Sequence, residues 1–301
     1  MHSIASEIVR TLGGRNGVCR CPTHDDKRPS LSVKDDENGD VLVHCFAGCD
    51  YRDIKDELRH RGLLSEWEPS RIDSERQAHM EAERRKRDAE TRKKDRERLE
   101  WCRTVWKETQ DANNTPVAVY LASRGIREIP PTIRFHPDLK HANSGRSFPA
   151  MVGVVSQWPS RELIGLHRTF LAHDGTGKAD VEPTKMMAGK CKNGAVRLAP
   201  VGETLAIAEG IETGLSVQQA TGLPTWAALS TSGIKALVLP DAPVATDVII
   251  AADHDETGQG QYAAESAALR WSLEGRNVRI ALPPIIGKDF NDLLIEGDRH
   301  G

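Results

Sequence analysis

The sequence predicts an α/β protein in three parts: a small cysteine-rich ribbon, a long charged helical linker, and a C-terminal parallel sheet with helices on both faces. Three observations predict it. Four of the six cysteines fall between Cys19 and Cys49. From about Ser70 to Lys107 the chain has no Gly or Pro and alternates charge sign at helical spacing. After Gly202, short apolar strands alternate with helical stretches, the pattern of a parallel sheet covered on both sides.

The 301 residues allow roughly two domains at ~150 residues each. No run approaches the ~20 apolar residues that cross a bilayer. The opening MHSIASEIVRTLGG has no basic stretch followed by a long apolar one. The expectation is a cytoplasmic protein with no membrane contact. A net charge of −3 does not advertise a nucleic-acid binder, but it leaves room for basic patches beside an acidic centre. Aromatics at 5% argue against an extended base-stacking surface. Without a secretory signal, clustered cysteines point to metal before disulfides.

Residues 1–66 form the first predicted unit. Cys21-x-x-His24 and Cys45-x-x-x-Cys49 are two ligand pairs about twenty residues apart. Zinc takes four such donors in a tetrahedron. The stretch between them, SLSVKDD-ENGD-VLVHC, reads as a β-hairpin turning at Asn38-Gly39, which brings the pairs together. Cys19 competes with Cys21, which has the better spacing and a following Pro, and His44 is a spare donor. YRDIKDELRHRGLL is a short helix with Gly62 at its end, and the unit closes near Trp67-Glu68-Pro69.

Residues 67–112 are the helical linker, which packs only near Leu99, Trp101, Val105 and Trp106. Residues 113–200 read as mixed short strands, with turns at Arg124-Gly125, Pro130-Pro131, Asn143-Ser144-Gly145 and His173-Asp174-Gly175. In residues 201–301, TLAIAE, LPTWAAL, DVIIAAD and NVRIALP are strands, with helices between them.

Function in such sheets sits at the carboxyl ends of the strands. Glu209 closes the first strand, and Asp253-His254-Asp255 closes another. Asp289 and Asn291 follow the last strand in GKDFNDLL. Crowded carboxylates raise one another's pKa unless cations neutralise them, and hard oxygen donors suit Mg²⁺ or Mn²⁺. Arg168, Lys178, Lys185, Lys190 and Lys288 are candidates to neutralise nucleotide or template phosphates. Glu212 is expected as an exposed residue of a first helical turn, favoured there by the helix dipole.

CPTHDDKRPSLSV followed by VHCFAGC resembles the zinc-binding domain of bacterial and phage-type DNA primases, matching at Cys21, Pro22, His24, Asp25, Lys27, Pro29 and Ser30. In that family the domain helps recognise single-stranded template, for which Arg20, Lys27 and Arg28 are phosphate candidates here. The acidic strand ends resemble the Toprim domain shared by primases, topoisomerases and some nucleases. FPAMVGVV, IGLHRTFL and GKADVEPTKMMAGKCKNGAVRL look like the Toprim primases of plasmids, phages and integrative elements.

The resemblance implies Asp253, Asp255 and Asp289 as ligands of catalytic Mg²⁺ or Mn²⁺, one ion or two. It implies Glu209 as an acid–base or metal-binding glutamate. Asn291 stands where replicative primases carry another Asp, and is a weaker ligand. The activity implied is synthesis of short RNA primers on single-stranded DNA from nucleoside triphosphates. No Gly-x4-Gly-Lys-Ser/Thr loop is present, so a replicative helicase is expected in trans. The alternatives are a Toprim nuclease, a group that generally lacks the ribbon, and a non-catalytic nucleic-acid-binding protein. A topoisomerase needs a nucleophilic tyrosine in a separate domain, and Tyr51, Tyr120 and Tyr262 sit in the wrong regions.

Overall fold

The computed structural model describes residues 3–36, 40–65 and 71–300. They form two compact units, Met1–Arg85 and Lys86–Gly301.

In the first unit, helix α1 (Ile4–Thr11) precedes a three-stranded antiparallel sheet of β1 (Val18–Cys19), β2 (Leu31–Asp35) and β3 (Val41–Cys45), and α2 (Tyr51–His60) follows. Strand alternation turns Leu31, Val33, Val41, Val43 and Cys45 inward, against Ile8 and Val9 of α1 and Ile54 and Leu58 of α2. The expected β2–β3 pairing is present. The expected turn at Asn38-Gly39 and the boundary at Trp67–Pro69 lie outside the described residues. Helix α1 adds to the elements expected from sequence. Its apolar residues recur four apart, and the Ser3 hydroxyl caps it by accepting from Ser6 N at 3.0 Å.

The charged run is a single helix, α3 (Arg71–Glu108), whose residues fall on both sides of the division at Arg85. Glu81–Arg85 and Glu90–Lys94 are i,i+4 ion pairs along it. Its last turns enter the core of the second unit through Cys102 and Val105, with Trp106 packed beside them. Trp101, expected in that core, is 40% exposed. The helical repeat gives the buried place to its neighbour Cys102.

The stretch expected as mixed short strands is more regular than predicted. Helix α4 (Pro116–Ser123) leads into an antiparallel sheet ordered β4 (Ile133–Lys140), β5 (Ser147–Val155), β6 (Gly165–Phe170) and β7 (Lys185–Gly189). Ala150, Val152, Leu166 and Phe170 cluster with Cys102 and Val105 of α3. On the opposite face, Ile133, Phe135, Met151 and Val155 cluster with Tyr120 and Leu121 of α4. With both faces covered, every residue of β6 is buried.

The second sheet has the order β12 (Asn277–Ala281), β11 (Asp247–Ala251), β9 (Thr204–Ala208), β10 (Thr225–Ala227) and β8 (Val196–Arg197). All pairings are parallel except the edge strand β8. Helices cover both faces, as expected. Ala206, Ala208 and Ala251 face α5 (Ile211–Thr221) and α8 (Phe290–His300). Leu205, Ile207, Val248 and Ile250 face α6 (Thr231–Ala236) and α7 (Gln259–Leu273). The register pairs Ala208 with Ala251 and Ala251 with Ala281, so three neighbouring strands end level. No helix of the described residues is long and apolar enough to cross a membrane.

Candidate metal centre and Cys/His cluster

In the first unit, one ligand atom from each of Cys21, His24, Cys45 and Cys49 lies within 4.8 Å of the other three. This is the donor set and proximity of a tetrahedral zinc site. His24 Nδ1 faces Cys49 Sγ at 3.1 Å, while its Nε2 lies 3.7 Å from Asp26 Oδ1. A carboxylate behind the far nitrogen fixes a ligating imidazole. Asp26 also accepts from the backbone of Cys21 at 2.8 Å and from the hydroxyl and backbone N–H of Ser30. Those bonds, the Cys21 N–H first, lower its pKa. For Cys45, burial favours the thiol, but donors led by the Cys49 N–H outweigh it and bring the pKa to about 6. Asp26 was not singled out from sequence, although its place two residues after His24 is a signal of such support.

The two spare donors go elsewhere. Cys19 is fully buried outside the cluster, and burial lifts its thiol to about 11. His44 packs edge-on against the exposed ring of Phe46, centroids 5.1 Å apart.

In the second unit, the level strand ends put Glu209 after β9, Asp253 after β11, and Asp289 beyond β12. Neighbouring strands run ~4.8 Å apart, so these carboxylates lie at the same end of the sheet. Their mutual influence is direct. Burial first, then the charges of Asp253 and Asp255, raises the Glu209 pKa. Burial first, then Asp289 and Asp255, raises that of Asp253. Asp255 moves the other way, to about 2, held by the Thr257 hydroxyl and by backbone donors at the start of α7, including Gly260 N at 2.9 Å. Asp289 caps α8: it accepts from Asp292 N at 2.9 Å while the Asp292 carboxylate accepts from Asp289 N at 3.1 Å.

Asp253 Oδ1 is buried with no hydrogen-bond partner among the described residues. Buried polar oxygens are nearly always satisfied. An orphaned carboxylate oxygen among other carboxylates, all hard donors, fits a divalent Mg²⁺ or Mn²⁺.

The basic candidates divide. Lys185 and Lys178 stand at this centre. The Lys185 charge favours the ionised forms of Glu209 and Asp253. Lys178 is exposed as a residue, yet lost solvation at its ammonium and the charge of Lys185 lower its pKa. The other three are engaged elsewhere. Lys190 pairs with Asp95 of α3 at 2.8 Å, and Lys288 pairs with Glu296. Arg168 is buried, lies 5.1 Å over the Trp101 ring and donates to Met187 O.

Two residues differ from expectation. Asn291 is wholly buried, its amide nitrogen donating to Arg124 O at 2.7 Å and Ser216 Oγ at 2.9 Å, and its oxygen accepting from Arg124 at 3.2 Å. It serves the packing of α8 on α5, because its place after the cap turns it into the helix interface. Glu212, expected exposed, is buried. It accepts from Tyr120 OH at 3.0 Å and from Lys185 Nζ at 2.9 Å. Burial opposes its ionisation, but Lys185 outweighs that and holds the carboxyl well below the usual range. The first turn of α5 is inward because α4 and β7 cover it, which no local pattern reveals.

Residues 204–299 match the family model of the Toprim domain, and residues 96–198 match one described as "Domain of unknown function (DUF7146)". The chain therefore carries a Toprim domain, preceded by a Cys/His cluster of zinc-binding type. Similar solved structures include a DNA primase domain from Pseudomonas aeruginosa, at 15% identity, 67% of this chain and 77% of that one, TM-score 0.44. The primase fragment of the bacteriophage T7 primase-helicase is 19% identical over 59% of this chain and 70% of its own, TM-score 0.41. The zinc-binding and RNA polymerase domains of the Aquifex aeolicus primase are 15% identical, covering 100% and 84%, TM-score 0.40.

Proposed function

We propose that the protein is a DNA primase, making short RNA primers on single-stranded DNA from nucleoside triphosphates. The observation that carries this reading is the carboxylate centre of Glu209, Asp253, Asp255 and Asp289 at level strand ends, with Lys185 and Lys178 beside it. The Cys/His cluster favours a primase over a nuclease built on the same domain.

In this reading Asp253, Asp255 and Asp289, with Glu209 as a further candidate, would hold one or two Mg²⁺ or Mn²⁺ ions. Such ions neutralise charge on the transferred phosphoryl group and favour ionisation of the attacking 3′-hydroxyl. In the same reading Lys185 and Lys178 receive the polyphosphate, and Glu209, whose pKa is raised by burial first, acts either as a metal ligand or as the acceptor of the hydroxyl proton. Asn291 is left to packing. A single zinc ion staples Cys21, His24, Cys45 and Cys49 in a template-recognition unit. The divisions expected at residues 1–66, 67–112, 113–200 and 201–301, a cytoplasmic location and a helicase partner in trans belong to the same proposal.

The test is template-dependent synthesis with single-stranded DNA, labelled ribonucleotides and Mg²⁺ or Mn²⁺, beside an Asp253→Ala control. Short products absent from the control are expected. Shortening of the template by the unaltered protein alone would give the site to a nuclease. An intact template without products would favour a non-catalytic binder.

A further inference from the structure

Lys185 pairs with the buried acid Glu212 beside the strand-end carboxylates. Its side chain is 37% exposed, whereas that of Glu212 is 8% exposed. Glu212 therefore cannot leave the ammonium without becoming an unpaired buried charge, a costly state. Tyr120, itself buried, donates to the other Glu212 oxygen and fixes the carboxylate from behind. A competing partner is near in space: the Glu212 oxygen that Lys185 holds at 2.9 Å stands 3.8 Å from a Cβ built on Gly210, the residue after Glu209. A lysine free to pair with Glu209 or Asp253 would occupy a position a metal ion needs.

We propose that Glu212 is a positioning residue: with Tyr120 it holds the Lys185 ammonium at 2.9 Å, keeping that cation from pairing with Glu209 or Asp253 and leaving those carboxylates to a divalent metal. The proposal rests on the reading of the strand-end carboxylates as a metal centre. It assigns Glu212 a part in metal affinity without contact to the metal.

The test is titration of Mn²⁺ into the zinc-loaded full chain, read by loss of the free Mn²⁺ electron paramagnetic resonance signal. Glu212→Gln keeps the shape and removes the charge, and Mn²⁺ affinity falls about tenfold, the scale of outer-sphere partners. Adding Lys185→Met removes the released cation, and the double variant returns to within about twofold of the unaltered protein, a coupling that a merely structural role would not produce. Unchanged affinity in Glu212→Gln overturns the proposal, as does a weakened affinity that Lys185→Met does not restore. If Glu212→Gln alone melts at the assay temperature, the doubly neutral variant decides: near-normal binding supports the proposal and weakened binding overturns it. No Mn²⁺ binding by the unaltered protein would instead overturn the metal reading itself, and the proposal with it.

Discussion

Gly260 lies so close to Asp253 that a Cβ built on it would stand 2.7 Å from the Asp253 carbonyl oxygen and 3.1 Å from Asp255 Oδ2. The first turn of α7 is thereby seated against the Asp-x-Asp segment, with Gly260 N donating to Asp255. Helix propensity alone would favour Gly260→Ala by about 1 kcal/mol. The clash is with backbone, which cannot rotate away, so the substitution is expected to destabilise by about 1–3 kcal/mol. Thermal midpoints and Mn²⁺ titration of the variant check this; a raised midpoint would refute the close-approach argument.

Burial first, and then the charges of Asp289 and Asp255, disfavour the ionised form of Asp253, which costs the metal-free fold stability. Asp253→Asn is expected to raise the metal-free melting temperature by about 2–4 °C, the equivalent of ~1 kcal/mol for a unit of this size. Saturating Mn²⁺ should stabilise the unaltered protein, by about 2.7 kcal/mol at a hundredfold excess over Kd, and leave the variant nearly unmoved. Scanning calorimetry with and without Mn²⁺ reads both.

Cys19 and Cys45 are both buried, but only Cys45 belongs to the ligand cluster. Cys45→Ser should lower zinc content from about one equivalent toward none, because thiolate donors supply most of the binding energy of such sites. Cys19→Ser should keep it. Metal analysis after dialysis decides, and full zinc in Cys45→Ser would contradict the ligand assignment.

Burial lowers the His167 pKa to about 4, so the folded protein holds this imidazole neutral. The unfolded chain, with a pKa near ~6.5, binds more protons between those values. Stability from this group is therefore complete above pH 6.5 and is lost as pH falls toward 4, by about 2 kcal/mol on reaching pH 5. Denaturant unfolding at pH 7.5 and pH 5 should show that loss in the unaltered protein and a smaller one in His167→Gln. Equal losses would place the acid sensitivity elsewhere.

Much of the Toprim domain was legible. Its β9–β12 strands and α5–α7 helices announce themselves by apolar runs and turn residues, and Glu209, Asp253 and Asp289 stand out because carboxylates at strand ends break an apolar pattern. The Cys21, His24, Cys45 and Cys49 spacing was equally plain. Glu212, Tyr120 and Asp26 were not, since each acts through a partner, and Glu212 and Tyr120 are 92 residues apart. Asn291 misled because its offset from Asp289 copies a ligand pattern, while α8 turns it inward.

The sequence by itself determined which groups exist and how the elements are punctuated: two ligand pairs, a helix of alternating charge, and strands that end in acids. Tertiary structure decided which charges meet. Lys185, Lys190 and Lys288 carry the same cation, yet the first faces Glu212 and the strand-end acids, the second Asp95 and the third Glu296. Local patterning specifies periodicity and caps. The field at a side chain is set by residues brought within a few ångströms from distant parts of the chain, and by the burial that removes water between them.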